Sequence, residues 1–83
     1  MKLKYFAWVR ERIGVPEEEV ELPAEVATVS DLIGWLSARG EGYAHAFEEP
    51  GVIRVAADQV HVPHGANLRE AREIALFPPM TGG

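Results

Sequence analysis

Thr28-Val29-Ser30-Asp31-Leu32-Ile33-Gly34-Trp35-Leu36 is the stretch on which the fold reading turns. Thr28 and Asp31 stand three apart, the spacing of a capping box with Asp in place of Glu. Val29, Leu32, Ile33 and Leu36 then fall on one helical stripe. The reading is a helix of about three turns with a single apolar face, stopped by Gly40 as its C-cap. Gly34 inside it costs up to about 1 kcal/mol relative to Ala, and is expected to allow close packing. One stripe covers one face of one sheet, so the rest of the chain should supply that sheet.

On the N-terminal side, Lys2 to Ala7 alternates and reads as a strand, with Leu3, Tyr5 and Ala7 on one face and Lys2, Lys4 and Phe6 on the other. Trp8–Ile13 reads as a short helix ended by Gly14. Glu19-Val20-Glu21-Leu22 alternates again, as a second strand in a hairpin with the first. On the C-terminal side, residues 41–51 read as a loop in which Tyr43 and Phe47 plug the edge of the core. Val52–Ala57 is a third strand with Ile53, Val55 and Ala57 inward. Asp58-Gln59 is a tight connection to a fourth strand, Val60–Val62. Leu68 plugs the core, and Glu73–Phe77 is a fifth strand with Ile74 and Leu76 inward. A hairpin, one main helix and further strands is an α+β pattern, and the β-grasp roll of ubiquitin-like proteins fits it. The expected division is a β-grasp domain over residues 1–77 and a flexible Gly-Gly tail over 78–83.

Phe6 and Phe77 are at odds with the apolar pattern: each lies on the strand face opposite its apolar neighbours. If the first and last strands are adjacent, both rings occupy the uncovered sheet face, where they form a binding patch.

The charge balance is 8 basic against 13 acidic residues, net −5. It argues against a nucleic-acid surface, which needs clustered Lys and Arg, and favours a basic protein partner. There is no cysteine, so disulfides, thiolate metal sites and a Cys nucleophile are excluded. His61 and His64 lack a third ligand nearby, so no metal site is expected. Ser30 and Ser37 have no triad partners, and no glycine-rich loop sits between a strand and a helix to cradle phosphate. No bound cofactor is expected. Neither a signal peptide nor a membrane-spanning run is visible, and the expected location is the cytoplasm.

With no active site among the side chains, the α-carboxylate at Phe77-Pro78-Pro79-Met80-Thr81-Gly82-Gly83 is the reactive group left. Pro78 and Pro79 stiffen the base of the tail, and Gly82 and Gly83 let another backbone approach closely. Extended from Pro78, the tail reaches roughly 20 Å. An ionised carboxylate is a poor electrophile and must be activated, for example as an acyl-adenylate made by a partner that supplies ATP. It then accepts sulfur or is joined to an amine.

Tyr5-Phe6-Ala7-Trp8-Val9-Arg10-Glu11, Thr28-Val29 before Leu32, Asp58-Gln59 and Glu73 through Gly83 together resemble the small-subunit family of molybdopterin synthase, the MoaD family of ubiquitin-like sulfur carriers. The resemblance runs the whole length. It departs at Glu70-Ala71-Arg72-Glu73, where family members often have Asp-Gly-Asp-Glu, and at Asp58, where they often have Asn. The resemblance implies that Gly83 is adenylated by an ATP-dependent E1-like enzyme and converted to a thiocarboxylate. A separate sulfur donor protein is implied, and Gly82 gives clearance. It also implies that Phe6, Phe77, Pro78, Pro79, Met80 and Thr81 bind the large subunit, which uses the sulfur to build the dithiolene of molybdopterin. On this reading the chain is a sulfur-donating, non-catalytic subunit. The alternatives are a carrier for thiamine synthesis, a protein modifier, or a non-covalent ubiquitin-like interaction module.

Overall fold

The computed structural model describes residues 1–79. Its elements are β1 (Lys2–Tyr5), α1 (Ala7–Ile13), β2 (Glu17–Glu19), α2 (Val29–Ser37), α3 (Glu41–Ala46), a 3₁₀ turn (Pro50–Val52), β3 (Arg54–Ala57), β4 (Val60–Val62) and β5 (Glu73–Phe77). The strands form one mixed sheet in the order β2-β1-β5-β3-β4. β1 and β5 run parallel at its centre, with Leu3 opposite Ile74 and Tyr5 opposite Leu76. The other pairs are antiparallel.

α2 forms as its sequence predicts. The Thr28 side chain accepts from the Asp31 N–H, and the Asp31 carboxylate accepts from the N–H groups of Ala27 and Thr28. Those bonds hold the Asp31 carboxyl below the usual carboxylate range. Val29, Leu32, Ile33 and Leu36 are buried with Leu3, Tyr5, Val55, Ile74 and Leu76 of the sheet and with Ile53 just before β3, with Phe47 and Leu68 closing the edges.

Several boundaries differ from the sequence reading. α2 ends at Ser37 with Ala38 as its cap. Gly40 instead begins α3, which occupies residues expected to be loop. Gly34 has nothing within 4 Å of where a Cβ would stand, so it permits no close packing. Close approach occurs at Gly42, whose Cβ would meet the Arg12 carbonyl oxygen at 2.6 Å. β1 stops at Tyr5, and Ala7, at φ 52, opens α1 exposed rather than facing the core. β2 is Glu17–Glu19, not Glu19–Leu22. The ladder shifts because Glu18 turns to the helix-covered side, where it accepts from the hydroxyls of Tyr5 at 2.6 Å and Tyr43 at 2.7 Å and from Arg39 at 3.2 Å.

The Asp58-Gln59 connection is tight as expected. Both residues have positive φ, 48 and 71, as a two-residue hairpin loop requires. The Asp58 carboxylate also accepts from the N–H groups of Arg72 and Glu73, both at 3.0 Å. The two departures from the resembled family thus touch each other, and Asp58 positions the start of β5.

Candidate functional site: the open sheet face at the end of β5

Helices cover one side of the sheet. The other side presents the alternate residues: Lys2 and Lys4 on β1, Glu73, Ala75 and Phe77 on β5, Arg54 and Ala56 on β3, and His61 on β4. Lys2 pairs with Glu17 and Lys4 with Glu73, at 3.2 and 3.4 Å, so the β1 end of this face is charge-neutralised. The apolar end is at Phe77.

Phe6 follows β1 directly and is 44% exposed. Its N–H donates to the Leu76 carbonyl at 3.2 Å, which continues the parallel register by one step and sets Phe6 beside Phe77. Phe77 is half-buried, and its ring meets His61 edge-on with centroids 5.4 Å apart. β3 lies between these two strands, so the contact spans its width. Ala56, the β3 residue opposite both Ala75 and His61, leaves room for it, and its own exposure falls to 7%. Pro78 and Pro79 continue from Phe77 outside any strand and half-buried. The expected tail positions Met80, Thr81, Gly82 and Gly83 lie outside the described residues.

Sequence reasoning put Phe6 and Phe77 on one open face if the first and last strands are adjacent, as they are, but missed two residues beside them. Arg54 stands opposite Phe77 in the β3–β5 ladder. His61 carries the edge of the Phe77 ring. Their signal was the alternation of Arg54-Val55 and Val60-His61-Val62, which puts Arg54 and His61 outward once the strands are ordered. Among the described residues no group of three His, Cys, Asp or Glu could hold a metal ion, and no helix is long and apolar enough to cross a membrane.

This mixed five-stranded sheet, with a parallel central pair and one covered face, defines a ubiquitin-like β-grasp protein. Its solved neighbours have the same architecture. A Pyrococcus furiosus protein, provisionally named molybdopterin converting factor subunit 1, superposes with a TM-score of 0.73 at 33% identity, over 95% of each chain. SAMP1 from Haloferax volcanii superposes with a TM-score of 0.71 at 28% identity, over 100% of this chain and 98% of that one. A model of the ThiS family matches residues 3–83. The molybdopterin synthase sulfur carrier subunits of Haemophilus influenzae and Escherichia coli are each 35% identical to this chain, over 100% of it and 99% of the relative. The chain belongs to the ThiS family, as a MoaD-type member.

Proposed function

We propose that this protein is the sulfur-carrier subunit of a molybdopterin synthase, with residues 78–83 as a tail that works inside its partners. The observation that carries the reading is 35% identity over the full length to two carrier subunits, on a chain whose described side chains form no catalytic constellation. The open face at Phe6 and Phe77 supports it by supplying an apolar platform at the root of the tail.

In the proposed cycle an E1-like adenylyltransferase binds the domain and brings the Gly83 carboxylate to ATP. A carboxylate oxygen attacks the α-phosphorus and pyrophosphate leaves. A persulfide sulfur on a donor protein then attacks the acyl carbon and AMP leaves. A second thiol cleaves the resulting acyl disulfide, forming a disulfide with the donor's sulfur and leaving the terminus as a thiocarboxylate. The large subunit receives the tail, its substrate takes the sulfur, and water restores the carboxylate. Gly82 provides clearance, while Phe6, Phe77, Pro78, Pro79, Met80 and Thr81 contact the large subunit. The chain supplies no catalytic side chain, and the partners supply ATP and the activation site. The cytoplasm is where this cycle would run.

Intact mass of the protein isolated from its own cell tests the reading. A fraction with one oxygen exchanged for sulfur, sensitive to alkylation, is expected. Unmodified protein from sulfur-replete cells with an active adenylyltransferase would overturn it. A second reading, protein modification through an isopeptide bond, draws on the likeness to a Haloferax volcanii small archaeal modifier protein. It uses the same activated terminus and predicts conjugates of this chain in the same cells.

A further inference from the structure

We propose that the cleft walled by Arg54, His61 and His64 is a docking site for a carboxylate side chain, Asp or Glu, on the protein that receives the tail. The proposal rests on the carrier reading above and adds a specificity-determining contact to it.

The cleft follows from where β4 ends. β4 ends at Val62, and the next position that would bond to β3 is His64, opposite Ile53. The Ile53 carbonyl, which a longer β4 would have satisfied, is instead 2.7 Å from the His64 Nε2. A carbonyl only accepts, so Nε2 carries the proton and donates. The side chain replaces the strand and leaves a notch of about 490 Å³ between the start of β3 and the end of β4.

Arg54, His61 and His64 are the polar side chains lining this notch, and no carboxylate lines it. Arg54 is exposed and, like Arg10, Arg69 and Arg72, stands outside ion-pair distance of a carboxylate among the described residues; of these four it is the one that lines the notch. On a chain of net charge −5 this is a local inversion of sign. A guanidinium fork held on a strand suits a planar, bidentate acceptor.

Position identifies the source of that acceptor. Arg54 is directly opposite Phe77, the last residue of β5, so whatever takes the tail passes over the cleft. With the tail fully extended, a nucleotide phosphate at the chain end would be roughly 20 Å beyond Phe77, out of reach of Arg54. In that arrangement the anion at Arg54 belongs to the partner's surface beside the tail entrance. A charge pair there would fix the orientation in which the Phe6–Phe77 platform seats.

The test uses the full chain and the molybdopterin synthase large subunit encoded in the same genome, with affinity measured by titration calorimetry at low and high salt. Arg54→Glu is expected to weaken binding about tenfold or more at low salt and much less at high salt. Arg54→Gln should fall between it and the unaltered chain, and Phe77→Ala should weaken binding at both salts. Arg54→Lys, treated in the complex with a carbodiimide, should form an amide to an Asp or Glu of the large subunit, with loss of water. Unchanged affinity of folded Arg54→Glu, or no such cross-link in a complex that Phe77→Ala still weakens, would overturn the carboxylate site and leave the carrier reading standing. Failure of the unaltered chain to bind would overturn both.

Discussion

The α-carbon of Gly42 faces the backbone of Arg12 so closely that a Cβ on it would lie 2.6 Å from the Arg12 carbonyl oxygen. This is where α3 crosses the end of α1, and backbone on both sides leaves no flexible side chain to yield. Gly34 is the opposite case, a glycine inside α2 with open space around it.

Gly42→Ala is therefore expected to destabilise the domain by about 1–3 kcal/mol through overpacking, despite alanine's better helix propensity. Gly34→Ala should stabilise it by up to about 1 kcal/mol. Chemical denaturation of the two variants checks the pair; equal effects of the same sign would refute the assigned contact.

Glu18 gives the fold a pH dependence. Desolvation pushes its carboxyl pKa up, but hydrogen bonds from Tyr5, Tyr43 and Arg39 outweigh that and hold it below the ordinary 4.5. A folded-state value below the unfolded one contributes stability that is complete above about pH 4.5 and lost as pH falls through the folded value. Tyr5 and Tyr43 behave in reverse. Burial, then the neighbouring carboxylate, pushes both hydroxyls above 10.0. Their contribution is present below that pH and is lost as alkali ionises the unfolded tyrosines. The melting temperature should fall at both extremes. Glu18→Ala should cost roughly 1–3 kcal/mol at neutral pH by orphaning the Tyr5 hydroxyl, and should flatten the acid limb. An unchanged acid limb in that variant would remove Glu18 from the account.

The same residue shows why part of the fold was legible in the sequence and part was not. α2 and β5 were readable because their signals are local: a capping box, an apolar stripe, a strict alternation. β2 was displaced because Val20 and Leu22 look like the inward residues of a strand. The inward member of the actual ladder is a glutamate, and a hydrophobic pattern cannot see a carboxylate satisfied by two distant tyrosines. α3 was missed because Glu41–Ala46 carries a glycine and no long aliphatic stripe; its stability comes from packing on α1 and α2. Gly40 was misread because a glycine after a helix suggests a stop, whereas its φ of 166 is extended backbone that starts the next helix. At the candidate site, Phe6 and Phe77 were legible as polar-face aromatics. Arg54 and His61 needed the strand order, which no local pattern gives.

Leu76 and Phe77, adjacent on β5, should separate stability from binding. Leu76 is fully buried, so Leu76→Ala is expected to cost about 2–5 kcal/mol of stability. Phe77 is half-buried against His61 on the open face, so Phe77→Ala should cost clearly less stability while weakening partner binding by more than about 1 kcal/mol. Melting and titration with the large subunit measure both. If Phe77→Ala unfolds the domain yet spares binding in the folded fraction, the ring is core and not platform.

Adding one Ala after Gly83 separates fold from function most sharply. β1 and β5 are parallel, with Lys2 beside Glu73 and Tyr5 beside Leu76, so the N-terminus lies at the opposite end of β5 from Pro78. Among the described residues the buried core runs from Leu3 to Leu76, and chain ends tolerate extension, so the added residue should leave the melting temperature nearly unchanged. On the proposed cycle it should abolish sulfur transfer. The carboxylate must reach an ATP phosphorus in line, and the thiocarboxylate must reach its substrate inside the partner. One residue moves the end by about 3.5 Å, where misplacement by about 1 Å can cost 100-fold in rate. The added methyl also stands at the chain end, where Gly82 and Gly83 let another backbone approach closely. A tag before Met1 should do far less harm, because it extends away from the tail. A non-covalent interaction module would tolerate both changes equally. Turnover with a purified partner decides: activity equal to that of the unaltered chain, with the extra residue confirmed by mass, would rule out activation at Gly83.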